Sequence, residues 1–416
     1  MNEMMILLPQ RVQILRSRKG QSIPVDGECF ALYFDNFIHP LRPEYDVVVS
    51  CAYGGNFGDC WKISAFPEDL DEFPLTISVY DEWGRKLAQK TCTVELIEKS
   101  VRPEEYRILC IGDSMTHRHH YVDHMAAKIA GIKTVGIRSF NGGTVCHEGR
   151  GGWELTHYVK QYADWWGGPS PFVFPEGIEG REYYGDKSFN ERLKTPDLDS
   201  YSLDGYRWTE IAEGQVYHDG GRLWRHTADE DALVDENPRW AFSFAKYLER
   251  FEIEKPHSVS ILMAANDLQS TSYEDGPARI RQFMDELETV IASVHECDPN
   301  VDVIINLPVC GAQQYAWGLR GNGSGKRYRL NTMLLCREIL ARWDAREDEH
   351  VHICHMRAFL DPGNGFDTDA YRDNPYSARI TEHHSNWVHP NLAGYKQMGD
   401  ALASVVESIR AQNCAE

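Results

Sequence analysis

The sequence predicts an α/β protein, a doubly wound parallel sheet preceded by a small all-β unit, and three observations carry that reading. Short alternating strands crowd the first hundred residues. Apolar strand-like runs then alternate with helical stretches, and a charged, proline-containing segment at 99–103 separates the two patterns. At 416 residues the chain also exceeds the size at which one hydrophobic core usually stops growing, which favours two domains. The expected boundaries are 1–102 for a β-sandwich accessory domain and 103–416 for the α/β domain.

Within the first part, Pro74–Tyr80 and Thr91–Ile97 alternate apolar and polar residues as half-buried strands do, and Asp81-Glu82-Trp83-Gly84 between them carries turn chemistry. Tyr45–Ala52 and Trp61–Phe66 read as further short strands. Beyond the linker, strands are expected at Arg107–Ile111, Lys133–Arg138, Ser258–Ala264, Val301–Leu307 and His350–Cys354. Helices are expected at Tyr121–Ala130, Trp153–Trp165, Ala241–Phe251, Ala278–Glu296, Tyr328–Arg346 and Leu392–Ala411. Residues 167–238 form a long excursion rich in Gly, Pro, Asp, Trp and Tyr, without a period; insertions of that kind serve as lids or binding loops.

A formal charge of -20, with no dense basic patch to offset it, repels phosphate backbones and anionic lipid, so neither nucleic acid nor membrane is an expected partner. The apolar run near the N-terminus is too short for a secretion signal, no run approaches membrane-spanning length, and a cytoplasmic protein is expected. The eleven cysteines are odd in number and contain no CxxC pair, which fits reduced, mostly buried thiols. Homo-oligomerisation is left open.

The chemistry concentrates in four short motifs. In Ile108-Leu109-Cys110-Ile111-Gly112-Asp113-Ser114-Met115-Thr116 an apolar strand ends in Gly-Asp-Ser and enters a helix, which puts the Ser114 hydroxyl at the sheet's carboxyl edge, where open α/β sheets bind ligands. The Ser114 N–H, at a helix start, is also a candidate oxyanion donor. Far along the chain, Asn386-Trp387-Val388-His389-Pro390-Asn391 sets a histidine in a turn before the last helix, a suitable place for a general base. Glu148-Gly149-Arg150-Gly151-Gly152-Trp153 and Ile261-Leu262-Met263-Ala264-Ala265-Asn266-Asp267 offer a glycine N–H and a carboxamide as further oxyanion donors. Each motif alone is also explained by capping or turn geometry.

Together, and in this order, the four resemble the blocks of SGNH (GDSL-like) hydrolases, over roughly residues 105–412. The resemblance implies a flavodoxin-like doubly wound sheet, Ser114 as nucleophile, His389 as base, and Ser114, Gly152 and Asn266 around the oxyanion. With N–H groups and a carboxamide as electrostatic donors, no cofactor and no catalytic metal are expected. Asp113, Trp153 and Trp387, beside these blocks, are candidate substrate contacts. Gly151 and Gly142-Gly143 are alternatives to Gly152. One departure is plain: the family usually has aspartate three residues before the histidine, and Asn386 stands there. Its carbonyl oxygen or a backbone carbonyl could accept Nδ1–H without supplying charge, another acid such as Glu382 could approach the ring, or catalysis could have decayed.

Histidines 117, 119, 120, 124, 383 and 384 cluster near the two ends of the candidate dyad but show no recognised zinc spacing. The resemblance extends to carbohydrate esterases with a β unit ahead of the hydrolase part, and Trp165, Trp166, Tyr183, Tyr184, Tyr206, Trp208 and Trp224 of the excursion could stack on pyranose rings or pack on one another. Three functions follow: an O-acetylesterase on an oligosaccharide or other small ester; an esterase or thioesterase on small acyl or lipid-derived substrates; and a non-catalytic carbohydrate-binding protein.

Overall fold

Tyr106–Gly112 (β1) is buried at all but one position, as a strand with neighbours on both edges must be. On one edge it pairs in parallel with Ile132–Val135 (β2) and, towards its carboxyl end, with Cys146–Gly149 (β3). On the other edge it pairs with Ser258–Leu262 (β4), which is followed by Asp302–Asn306 (β5) and Val351–Cys354 (β6), all parallel. The computed structural model describes residues 4–16, 29–64, 70–99, 104–139, 143–160, 168–192, 210–312, 325–372 and 374–413. Strand order therefore reverses at β1, which opens a crevice at the carboxyl ends of β1, β3 and β4.

The connections are helical: Ser114–His117 (α1) and His120–Lys128 (α2) lie between β1 and β2, and Leu155–Lys160 (α3) follows β3. Phe244–Arg250 (α4) precedes β4, Ala265–Gln269 (α5) and Gly276–Cys297 (α6) precede β5, Gly325–Trp343 (α7) precedes β6, and Leu392–Gln412 (α8) ends the fold. Helix α2 packs on α8, while α3, α4 and α7 pack on α6. The parallel-sheet expectation and its strand positions agree with this arrangement. Helix α4 starts later than its periodicity predicts, because Trp240–Phe242 is taken up pairing with Val173–Pro175, and Ser243 then caps the helix through the Lys246 N–H. The expected end of α3 lies outside the described residues.

Before β1 the chain is all β among the described residues, apart from one turn of 3-10 helix at Phe34–Asn36. Arg11–Arg16, Lys86–Glu98, Glu72–Tyr80 and Asp46–Ser50 form one sheet, in that order; Phe30–Tyr33, Cys60–Ile63 and Gly55–Asn56 form another. In the hairpin turn Asp81 Oδ1 accepts the N–H groups of Trp83 and Arg85, at 3.0 and 2.9 Å. The apolar faces of these strands run into the same core as the α/β sheet. Polar contacts join them as well: the Leu15 N–H donates to Ser404 Oγ of α8 (3.0 Å), Asn36 Nδ2 to Arg357 O (3.0 Å) and Tyr33 OH to Asp361 Oδ2 (3.0 Å). The excursion carries its own sheet of Tyr183–Asp186, Val216–Asp219, Arg222–Arg225 and Ala232–Asp235. Among the described residues no helix is long and apolar enough to cross a membrane, and the cysteines are free thiols.

Candidate active site

Glycine ends β1 for want of room: a Cβ on Gly112 would stand 1.9 Å from Thr116 Oγ1 and 2.7 Å from Leu262 O. The chain turns at Asp113, whose Oδ1 accepts the Met115 N–H at 2.9 Å and caps α1. Ser114 is thereby placed, half-buried, in the first turn of a helix at the carboxyl end of the strand where the sheet order reverses.

The loop before α8 comes to the same point. Asn391 caps α8 through the Gly394 N–H at 3.0 Å, and Asn386 Oδ1 accepts the N–H groups of Val388 and His389 at 3.2 and 3.0 Å. Held in this turn, His389 directs Nε2 to within 2.7 Å of Ser114 Oγ. Burial, and after it the charge of Arg118, lowers the His389 pKa to about 4, so the ring is neutral at pH 7 and able to accept a proton.

Gly152 follows β3 at a φ of 76°, a backbone that glycine adopts without strain, and its surface is exposed. Asn266 follows β4 in α5; its Nδ2 donates to Trp153 O at 2.9 Å and its Oδ1 accepts from Gln269 Nε2 at 3.1 Å. That leaves the second amide N–H of Asn266 for another acceptor. The residue before α5, Ala264, has a φ of 96°, a conformation rare for a residue with a Cβ. The chain thus turns into α5 at the end of β4 through a strained position. Ser114, Gly152 and Asn266 all lie just past strand ends that flank the crevice.

No protein-family model and no curated protein matches the chain. Solved structures do: a carbohydrate acetylesterase from Sinorhizobium meliloti is 13% identical over 73% of this chain and 100% of its own, with a TM-score of 0.32. A peptidoglycan O-acetylesterase is 13% identical over 74% of this chain and 92% of its own (TM-score 0.33), and a GDSL-like lipase from Parabacteroides merdae is 11% identical over 74% and 99% (TM-score 0.30).

At Asn386 the structure corrects the expectation drawn from the SGNH pattern. The amide oxygen is engaged by two main-chain N–H groups, which fixes the amide's orientation and leaves Nδ2, not Oδ1, facing His389 Nδ1 at 3.5 Å. The expected neutral acceptor for Nδ1–H is therefore not formed. Glu382, the alternative, is exposed on a hairpin strand opposite Ala370 and makes no hydrogen bond to His389 among the described residues.

Two expected substrate contacts are corrected as well. Asp113 and Trp153 are both fully buried, so neither side chain can touch a substrate. Asp113 caps α1, and burial pushes its pKa up to about 7. Trp153 packs beneath the Gly152 turn against Tyr158, with the Arg150 guanidinium 4.9 Å from its ring centroid. Trp387 is half-buried and keeps some surface. In the excursion Tyr183 and Tyr184 are buried, Tyr183 against Phe174 and Trp240, so they pack the insertion and are not free to stack on sugar rings. Trp224 is half-buried; Trp165, Trp166, Tyr206 and Trp208 lie outside the described residues.

A buried polar network under the site is absent from the sequence reading. Tyr158 OH donates to Gly112 O (2.8 Å), the Arg150 N–H donates to the same carbonyl (2.9 Å), and Arg150 Nη2 pairs with Glu148 Oε2 at 3.3 Å. Glu148 Oε1 also accepts from Tyr247 OH (2.7 Å) and the Ile137 N–H (2.8 Å). These bonds tie the Gly152 turn to the end of β1. The charged residues flanking the glycine of Glu148-Gly149-Arg150 were the available signal.

Proposed function

We propose that this protein is an SGNH-type serine esterase that hydrolyses ester bonds, with O-acetyl groups on carbohydrates as its substrate class. The observation that carries the reading is the 2.7 Å contact between His389 Nε2 and Ser114 Oγ at the mouth of the crevice. A neutral imidazole at that distance can take the hydroxyl proton as the oxygen attacks an ester carbonyl. The Ser114 and Gly152 N–H groups and the Asn266 amide supply donors for the oxyanion. The imidazolium returns its proton to the leaving alkoxide, and water, activated by the same ring, releases the acid and frees Ser114. No step uses a metal or an organic cofactor.

Acetyl groups are favoured over long acyl chains because the sequence holds no long apolar groove-forming stretch. The test is covalent and direct. A fluorophosphonate probe labels Ser114 in the wild type and nothing in Ser114→Ala, and the variant loses turnover of p-nitrophenyl acetate. Acetate release from a panel of acetylated oligosaccharides then identifies the sugar, and a preference for longer p-nitrophenyl acyl chains would assign the protein to lipid-derived substrates instead. Labelling at another serine removes the reading altogether.

A further inference from the structure

The sequence shows no zinc spacing among the histidines after Ser114, yet the fold gathers three metal-ligand groups there. Among the described residues, one set of three His, Cys, Asp or Glu side chains brings its ligand atoms within 4.8 Å of one another: His119, His120 and Asp123, all half-buried. The backbone makes the set. His119 occupies the left-handed region (φ 53°), a strained conformation for a residue with a Cβ. That twist breaks the chain between α1 and α2 and brings the imidazoles of two consecutive residues together, their ring centroids 4.8 Å apart. Asp123, one turn into α2, turns its carboxylate back onto His119 Nδ1. The ring of His120 is in turn held against Tyr395 of α8, with centroids 5.3 Å apart. His124, on the same helix, is committed to Asp400 of α8 at 2.8 Å and does not join the set.

The geometry points to a binding site for a divalent transition metal of the zinc class, formed by His119, His120 and Asp123 and separate from the ester-cleaving groups. Two imidazole nitrogens and one carboxylate oxygen are the donor set that suits Zn²⁺, Co²⁺, Ni²⁺ and Cu²⁺; Mg²⁺ and Ca²⁺ prefer all-oxygen sites. Three protein ligands leave a fourth position for water. The partial positive charge at the start of α2 opposes a cation, by far less than three ligands contribute. The cation would fasten the α1–α2 corner, and with it the helix that begins at Ser114, stabilising the fold by mass action and not by entering the chemistry.

The experiment titrates the full-length, chelator-treated protein with Zn²⁺ in competition with a chromophoric chelator, and with Co²⁺ followed by its visible absorption. One site per chain is expected, of micromolar dissociation constant or tighter, with a cobalt d–d band and a rise in Tm on loading. Asp123→Asn and His120→Ala each weaken Zn²⁺ binding at least tenfold and remove the band, while their metal-free Tm stays near that of wild type. Ser114→Ala binds Zn²⁺ as wild type does, which separates this site from the esterase reading. Pulsed EPR of the Cu²⁺-loaded wild type detects two coordinated imidazoles and needs no variant. Absence of a cobalt band and of coupled imidazole nitrogens in the wild type overturns the proposal, and so does affinity unchanged in both ligand variants.

Discussion

Asn386 grips His389 by its main chain and not by its ring: Oδ1 accepts the His389 N–H at 3.0 Å while Nδ2 stands 3.5 Å from Nδ1. The working tautomer carries its proton on Nδ1, where it meets an amide that offers hydrogen and not a lone pair. An aspartate would keep the main-chain bonds through one oxygen and turn the other towards Nδ1–H. Asn386→Asp is therefore expected to raise kcat/KM for an activated acetyl ester by about tenfold or more, and to move the acid limb to higher pH, since a nearby negative charge favours the imidazolium. Asn386→Ala loses the turn and lowers the rate, by less than His389→Ala does. Coincident pH profiles for wild type and Asn386→Asp would show that a carboxylate at 386 does not reach the ring.

The depressed pKa of His389 has its own consequence. Only the neutral ring can accept the Ser114 proton, and burial with the charge of Arg118 keeps it neutral down to about pH 4. In the wild type kcat/KM should be level between pH 7 and 5 and fall to half near pH 4. Arg118→Gln removes the like charge that opposes protonation, so its midpoint should lie higher. A wild-type midpoint at pH 6 or above would mean that the ring is better solvated than this structure has it.

The proposed oxyanion role of the Asn266 amide uses its second N–H, since one is committed to Trp153 O at 2.9 Å. Asn266→Ala is expected to cost about 10²–10³ in kcat with KM little changed, the signature of a bond made in the transition state. Thermal unfolding of the variant checks that the Gly152 turn survives the loss of its tie. A rise in KM at constant kcat would assign Asn266 to ground-state binding.

What could be read from the sequence, and what could not, divides along physical lines. Parallel strands buried on both faces leave apolar runs, so β1, β4, β5 and β6 were legible, and the pairing of Ser114 with His389 was legible because one follows a strand and the other precedes a helix in a short motif. Side-chain direction within those motifs was not. Asp113 and Trp153 adjoin candidate residues in sequence, but the first points down to cap α1 and the second packs under its turn, a difference that residue type does not encode. Nor does the identity of Asn386 reveal that its oxygen is taken by the turn it starts. The Glu148, Arg150, Tyr158 and Tyr247 network joins segments up to 99 residues apart, and local patterning carries no trace of such pairings.

The last expectation concerns stability and rests on His355. Its side chain is fully buried at the end of β6, 4.6 Å from the Phe359 ring, and neither ring nitrogen makes a hydrogen bond of ordinary geometry. Burial lowers its pKa to about 3, only partly offset by the main chain of Gln13. The sign follows from proton counts. Between about pH 3 and pH 6.5 the unfolded chain binds a proton at this residue and the folded chain does not, so stability falls as pH falls through that window and is indifferent to His355 above it. Each unit of separation between the two pKa values is worth about 1.4 kcal/mol. Phenylalanine has a similar shape and no proton to gain, so His355→Phe should flatten part of the acid limb. Denaturant midpoints measured every half unit from pH 8 to 4 should show a constant difference between variant and wild type above about pH 6.5, shifting steadily in the variant's favour below it. His117, His147 and His389 titrate low for the same reason and are common to both proteins, so they cancel in the difference. A difference that stays constant down to pH 4 would mean that His355 gains a proton in the folded protein as readily as in the unfolded one.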